Sequence, residues 1–143
     1  MTANLSNPND LVSPNTGEAA GDGYQSIQNL FGSRFNDQLI GDANANILNG
    51  GYGGNDTLTG NGGADTFVFR GSQETITDFS HGESDLIDIS GFGLNDAEVQ
   101  ALIDAAAGDT IDFGNGNILT LTGVDVHTLI TSAIDPNKDF IYA

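Results

Sequence analysis

The chain of 143 residues has no cysteine, no tryptophan and only three basic side chains, Arg34, Arg70 and Lys138. Without cysteine there is no disulfide to stabilise a fold and no thiol for catalysis or metal binding. Three bases against 20 acids leave a net charge of −17, which argues against nucleic acid and anionic membrane surfaces as partners, because both need basic patches. No segment approaches the roughly 18 continuous apolar residues of a membrane-spanning helix, so membrane insertion is not expected. Residues 1–30 show no basic stretch leading into an apolar run, so no ordinary secretory signal is read there. Apolar content is also low, at 38%, while glycine reaches 20 residues. Glycine loses more backbone freedom on folding than any other residue. Something besides apolar burial must stabilise such a chain, and bound metal is the obvious candidate. Catalytic signatures are missing too: HExxH, GxSxG and P-loop motifs do not occur. His81 and His127 are the only histidines, and neither has a partner at metal or triad spacing. Of the 20 acids, 13 fall in residues 70–143 without an obvious catalytic pair. Enzymatic activity is not expected.

What the chain does contain is a period. Four nine-residue units run GSRFNDQLI (32–40), GDANANILN (41–49), GYGGNDTLT (51–59) and GNGGADTFV (60–68), with Gly50 read as a single inserted residue. Position one is always glycine, position six reads Asp37, Asn46, Asp56 and Asp65, and position eight reads Leu39, Leu48, Leu58 and Phe67. A fixed period with a carboxylate or amide at one phase and an apolar residue at another indicates a repeat architecture. Each unit supplies a turn and a short strand, and only stacking buries position eight. A weaker unit precedes these at 23–31, with Gln28 at position six and Leu30 at position eight, and reads as a cap.

These residues resemble the RTX (hemolysin-type calcium-binding) nonapeptide G-G-x-G-x-D-x-U-x, where U is a large apolar residue. Gly51, Gly53, Gly54, Asp56, Leu58 and Gly60, Gly62, Gly63, Asp65, Phe67 follow it closely, whereas Ser33, Arg34, Phe35 and Asp42, Ala43, Asn44 replace the expected glycines. The resemblance implies a mainly β fold, a parallel β-roll with two units per superhelical turn, so that units n and n+2 stack. It implies calcium between stacked turns, held by backbone carbonyls and position-six carboxylates. Calcium is a hard cation that takes six to eight oxygens, and glycine tolerates the positive φ that points carbonyls inward. Carried over, units one and three give a site from Gly32, Arg34, Asp37, Tyr52, Gly54 and Asp56. Units two and four give another from Gly41, Ala43, Asn46, Asn61, Gly63 and Asp65. Gly51, Gly53, Gly60 and Gly62 complete the turn residues assigned to metal. Asn46 offers a neutral oxygen where the pattern has a carboxylate, so the second site is expected to be weaker. The alternative is that the glycines permit tight turns and the Asp residues cap them.

Three regions follow. Residues 1–22, polar with Pro8 and Pro14, read as a flexible leader, or as a strand or arm that docks on a neighbouring molecule. The β-roll repeats occupy 23–70, and 71–143 form a capping and secretion-signal region. Within it, strand-like runs at 75–79 and 86–90 flank an acidic turn. This is similar to the segment that closes RTX rolls, where Asp78, Asp85 and Asp88 would help hold the last ions; the other reading is a solvated acidic loop. Asn95 with Glu98 makes a capping box for one helix carrying Val99, Leu102, Ile103 and Ala106 on a face, ended by Gly108. Residues 110–113 and 118–122 read as a β-hairpin around 114–117. The last five residues, DFIYA, look like the terminus of type I secretion substrates, a role compatible with a final edge strand.

Together these readings give a calcium-binding module of a secreted protein, extracellular or at the cell surface, exported by type I secretion machinery and folding on calcium outside. The alternatives are a calcium-dependent, self-associating structural protein of the cell surface or matrix, and an accessory carbohydrate-binding module.

Overall fold

The structure, a computed structural model, describes residues 1–5, 27–131 and 135–142. Its repeat block turns each unit into a glycine-bearing turn and a short strand: β3 (Gln38–Ile40), β4 (Ile47–Asn49), β5 (Asn55–Thr59) and β6 (Thr66–Val68). Before them come β1 (Thr2–Asn4) and β2 (Asn29–Phe31). After them come β7 (Gln73–Ile76), β8 (Leu86–Asp88), α1 (Asp96–Ala105), β9 (Thr110–Asp112), β10 (Ile118–Leu121) and β11 (Phe140–Ile141). The chain is therefore mainly β, with one α-helix among the described residues.

Strands β1 to β8 are dealt alternately to two sheets, ordered β1-β3-β5-β7-β10-β9 and β11-β8-β6-β4-β2. Every pairing is parallel except β9 with β10. Parallel neighbours need a crossover of about a dozen residues or more, and from β2 to β8 each crossover is a strand of the other sheet with a turn on either side. Units one and three thus pair as β3 with β5, and units two and four as β4 with β6.

Register explains the two informative phases. Ala3, Leu39, Leu58, Ile76 and Leu121 stand side by side in the first sheet, and Leu30, Leu48, Phe67, Ile87 and Phe140 in the second. All ten are buried and belong to one core. Alternate residues of a strand share a face, so position six, two residues earlier, points inward as well. The acids there are buried at the rim of the core, beside the turns, with Asp37, Asn46, Asp56 and Asp65 all below 5% exposure.

The C-terminal region closes this arrangement. Asn95 accepts from the Ala97 and Glu98 amides at 3.0 and 3.1 Å while Glu98 accepts from the Asn95 amide at 2.9 Å, the expected capping box. The helix buries Val99 and Ile103 and packs on β9 and the short 3-10 turn Val126–Thr128. The β9–β10 hairpin forms as expected, and β10 adds parallel to β7. Phe69, Phe92 and Phe113 form an aromatic cluster with centroids 4.9–5.3 Å apart, Phe92 stacked on Phe69 and Phe113 tilted against both.

Two expectations differ from what is observed. The strand read at 75–79 spans Gln73–Ile76, with Glu74 and Ile76 on the inward phase, and Asp78 leaves it to accept the Gly60 amide of the fourth unit. At the start of the expected leader, Thr2–Asn4 form β1, paired with β3 of the same chain, with Ala3 and Leu5 buried. Residues 6–26, the rest of that leader with the start of the weak unit, lie outside the described residues, as does Ala143. Leu30 holds the expected phase, buried on β2, while Gln28 is exposed, unlike the position-six residues of the four units, and its carbonyl accepts the Ile47 amide at 2.8 Å.

Candidate cation-binding turns

Glycine at position one has a geometric reason. A Cβ added to Gly32, Gly41, Gly50 or Gly60 would sit within 3 Å of the side-chain oxygen of Asp37, Asn46, Asp56 or Asp65 respectively. Each position-six side chain folds back over the glycine that opens its own turn. This places Gly50, not Gly51, at position one of the third unit. Register agrees: Phe31 pairs with Asn49, so Gly32 stands beside Gly50. The extra residue therefore lies within the third turn rather than between units. Gly51, at φ +108°, meets the Ser33 carbonyl, and Gly54, at φ +88°, stacks on the Phe35 backbone. In the second column Gly63, at φ +110°, stacks likewise on Asn44.

The position-six groups form two ladders. The Asp37 amide donates to Asp56 Oδ1 at 2.9 Å, the Asn46 amide to Asp65 Oδ1 at 2.8 Å, and the Asp65 amide to Asp85 Oδ1 at 2.9 Å. The second oxygens of Asp56 and Asp65 are buried and have no partner. Buried polar atoms are normally hydrogen-bonded, and an ion is one of the standard reasons for an exception. The two best-matching units thus each present an unused anionic oxygen above a glycine cradle, which fits the calcium that the resemblance implies.

The remaining expected ligands divide. Turn one is stacked against turn three and turn two against turn four, so both expected sets are brought together. Asp37, however, spends its carboxylate on Ser33 and on the Met1 ammonium at 2.8 Å. Asn46 accepts the Asp42 amide at 2.8 Å, and the Gly41 carbonyl accepts the Asn61 side-chain amide at 2.8 Å. Arg34 could offer only its carbonyl, since its guanidinium lies 5.3 Å over the Phe35 ring. Tyr52 is 82% exposed. Asp78 caps turn four, accepting the Gly60 and Asn61 amides at 2.9 and 2.8 Å. Asp85 continues the second ladder and accepts the Ser80 amide at 2.9 Å. Asp88 stands apart, in an ion pair with Arg70 at 3.0 Å. Among the described residues no three Asp, Glu or His side chains converge on one point; carbonyls would have to supply most of any coordination shell. The histidines pair singly, His81 with Asp139 at 2.7 Å and His127 with Asp125 at 2.9 Å.

One inward acid was missed in the sequence. Glu74 stands beside Asp56 in register, at the position-six phase of the first sheet, and is buried with both carboxyl oxygens unpartnered. The signal was present: Glu74 with Ile76 repeats the spacing of Asp56 with Leu58, as Asp85 does with Ile87.

Electrostatics follow burial. Desolvation pushes Asp56 and Asp65 up to about 6, and Glu74, with Asp56 adding repulsion, up to about 9. Asp85 is raised by burial as well. For Asp37, burial is outweighed by the hydrogen bonds from the Met1 ammonium and Ser33, and it lies below the usual carboxylate value. An acid whose folded value is raised favours the folded state below its unfolded value, and that contribution is lost as pH rises through the folded one. For Asp56 and Asp65 the window is from about 4 to about 6, and for Glu74 from about 4.5 to about 9. In chelator, the far-UV β signal is therefore expected to be stronger at pH 5 than at pH 8. In calcium the order should reverse, because the metal binds only ionised carboxylates. Equal signals at both pH values in chelator would contradict the assignment of these acids to a buried, unneutralised rim.

No protein-family model matches the chain, and no curated protein matches it.

Proposed function

We propose that this chain is a calcium-binding module of a secreted protein, its two alternating sheets forming a parallel β-roll of the RTX kind that folds when calcium fills the stacked turns. The observation that supports this most is the pair of buried, partnerless oxygens on Asp56 and Asp65, each above a position-one glycine. Calcium would neutralise charge that the protein does not neutralise itself. The net charge of −17 keeps the metal-free chain self-repelling, so it would be unfolded at low cytosolic calcium and compact outside, where calcium is plentiful. Export by type I secretion machinery, unfolded, and an extracellular or cell-surface location belong to the same proposal.

The test is a calcium titration followed by far-UV circular dichroism from a chelated start, with magnesium as control. A coil-to-β transition in calcium alone is expected. Asp56→Ala should move its midpoint to about tenfold higher calcium or more, since it removes a charged ligand at a desolvated position. An unchanged midpoint in that variant would remove Asp56 from the site.

A second reading, calcium-dependent self-assembly into a surface or matrix structure, is favoured by one feature. Among the described residues β2 is the last strand of its sheet, and Phe31 and Phe35 beside it are 64% and 65% exposed. Open strand edges with apolar side chains pair readily between molecules. Light scattering in calcium separates the readings: a monodisperse monomer counts against assembly.

A further inference from the structure

Glu74 lies beyond the four nonapeptides, yet the fold treats it as a fifth position six. It stands beside Asp56 on the neighbouring parallel strand, on the same face, with Ile76 continuing the apolar column two residues on. Its other in-register neighbour is Leu119, fully buried. An apolar side chain at this position would simply extend the core. Instead there is a carboxyl group, 2% exposed, with neither oxygen hydrogen-bonded, next to an Asp56 oxygen in the same condition. Three buried carboxyl oxygens from two adjacent side chains thus lack any donor. Protein cations do not resolve this. The guanidinium of Arg70 is engaged by both oxygens of Asp88, at 3.3 and 3.0 Å.

Burying an ionisable group without a partner is costly, and the group set here, carboxyl oxygens only, is once ionised the chemistry of a hard divalent cation. We propose that Glu74 and Asp56 hold a further calcium ion, between the third turn and the start of β7, so that cation binding continues one rung past the recognisable repeats. The inference rests on the calcium reading above, since it shares Asp56. It adds a ligand, Glu74, and one ion to the count.

The experiment counts calcium ions per folded chain, by native mass spectrometry and by isothermal titration with calcium alone, for the full chain, Glu74→Gln and Glu74→Asp. Glutamine keeps the shape of a protonated glutamic acid, so this variant retains the packing of the core. The expected result is one ion fewer in Glu74→Gln, and the full number at about tenfold lower affinity in Glu74→Asp, whose carboxylate is shorter. If Glu74→Gln binds as many ions as the parent with unchanged affinity, Glu74 is a buried neutral acid and the inference is overturned, while the sites in the repeats stand. A parent chain that binds no calcium at all overturns both readings. Should Glu74→Gln fail to fold, Glu74→Asp decides: the full ion number with weakened binding supports the site, and unweakened binding removes Glu74 from it.

Discussion

Withdrawal of calcium is expected to unfold this chain almost completely, with magnesium unable to restore it. A ligand that binds only the folded state stabilises it by about 2.7 kcal/mol per site when present at roughly 100 times its dissociation constant. Two such sites contribute about 5 kcal/mol, the lower end of the whole stability of an ordinary domain. Here the rest of the ledger is unusually thin. Twenty glycines must be ordered on folding, and the polar ladders leave buried oxygens on Asp56, Asp65 and Glu74 without donors. Extracellular calcium modules commonly bind at about 10⁻⁴–10⁻³ M, which places the expected midpoint there. A native-like spectrum that persists in excess chelator would mean that the glycine turns are purely structural, and the calcium reading would fall.

Phe67→Ala should have the second largest effect, a loss of about 3–5 kcal/mol, the range for truncating a buried aromatic. Phe67 is fully buried at the middle of the column Leu30, Leu48, Phe67, Ile87, Phe140 and lies 6.5 Å from the Phe79 ring. It also touches the site directly, because a Cβ added to Gly60 would lie about 3.0 Å from its ring as well as against Asp65. Because folding and calcium binding are coupled in the proposed mechanism, the loss should appear as a shifted titration. A destabilisation of about 3 kcal/mol, shared between two ions, moves the midpoint about tenfold upward. Circular dichroism at graded calcium reads this shift, and an unchanged midpoint would mean that the column is not part of the cooperative unit that calcium stabilises.

Much of this architecture was legible because the period is short and its phases are chemically distinct. Position eight is apolar in all four units, and each of those residues is in the core. The helix cap could be read because Asn95 and Glu98 carry the whole signal locally. The phase of the third unit could not, since Gly50 and Gly51 are chemically identical candidates and only the contact with Asp56 and the strand register separate them. Glu74 was obscured because its turn lacks the paired glycines, although its spacing from Ile76 is right. β1 has Ala3 as its one apolar residue, with Leu5 just after it, too little for periodicity to register; its place is set by β3. Arg70, just past the end of β6, pairs with Asp88 on the neighbouring strand β8, a contact with no local trace in sequence.

The alternation of strands between sheets has a consequence for how the molecule can be assembled. Within the repeats, partners are near in the chain: Asn29 pairs with Ile47, Leu39 with Leu58 and Thr66 with Leu86. Parallel sheets usually wait on distant segments, because the loop must be closed before any contact rewards it. Here each new rung needs only the preceding turn of chain, so order can spread stepwise along the sequence as soon as a neighbour is in place. Three strands are exceptions, reaching much farther along the chain: β1 to β3, β10 to β7 and β11 to β8. These are the rungs that convert a zipper, free to fray from either end, into a closed object.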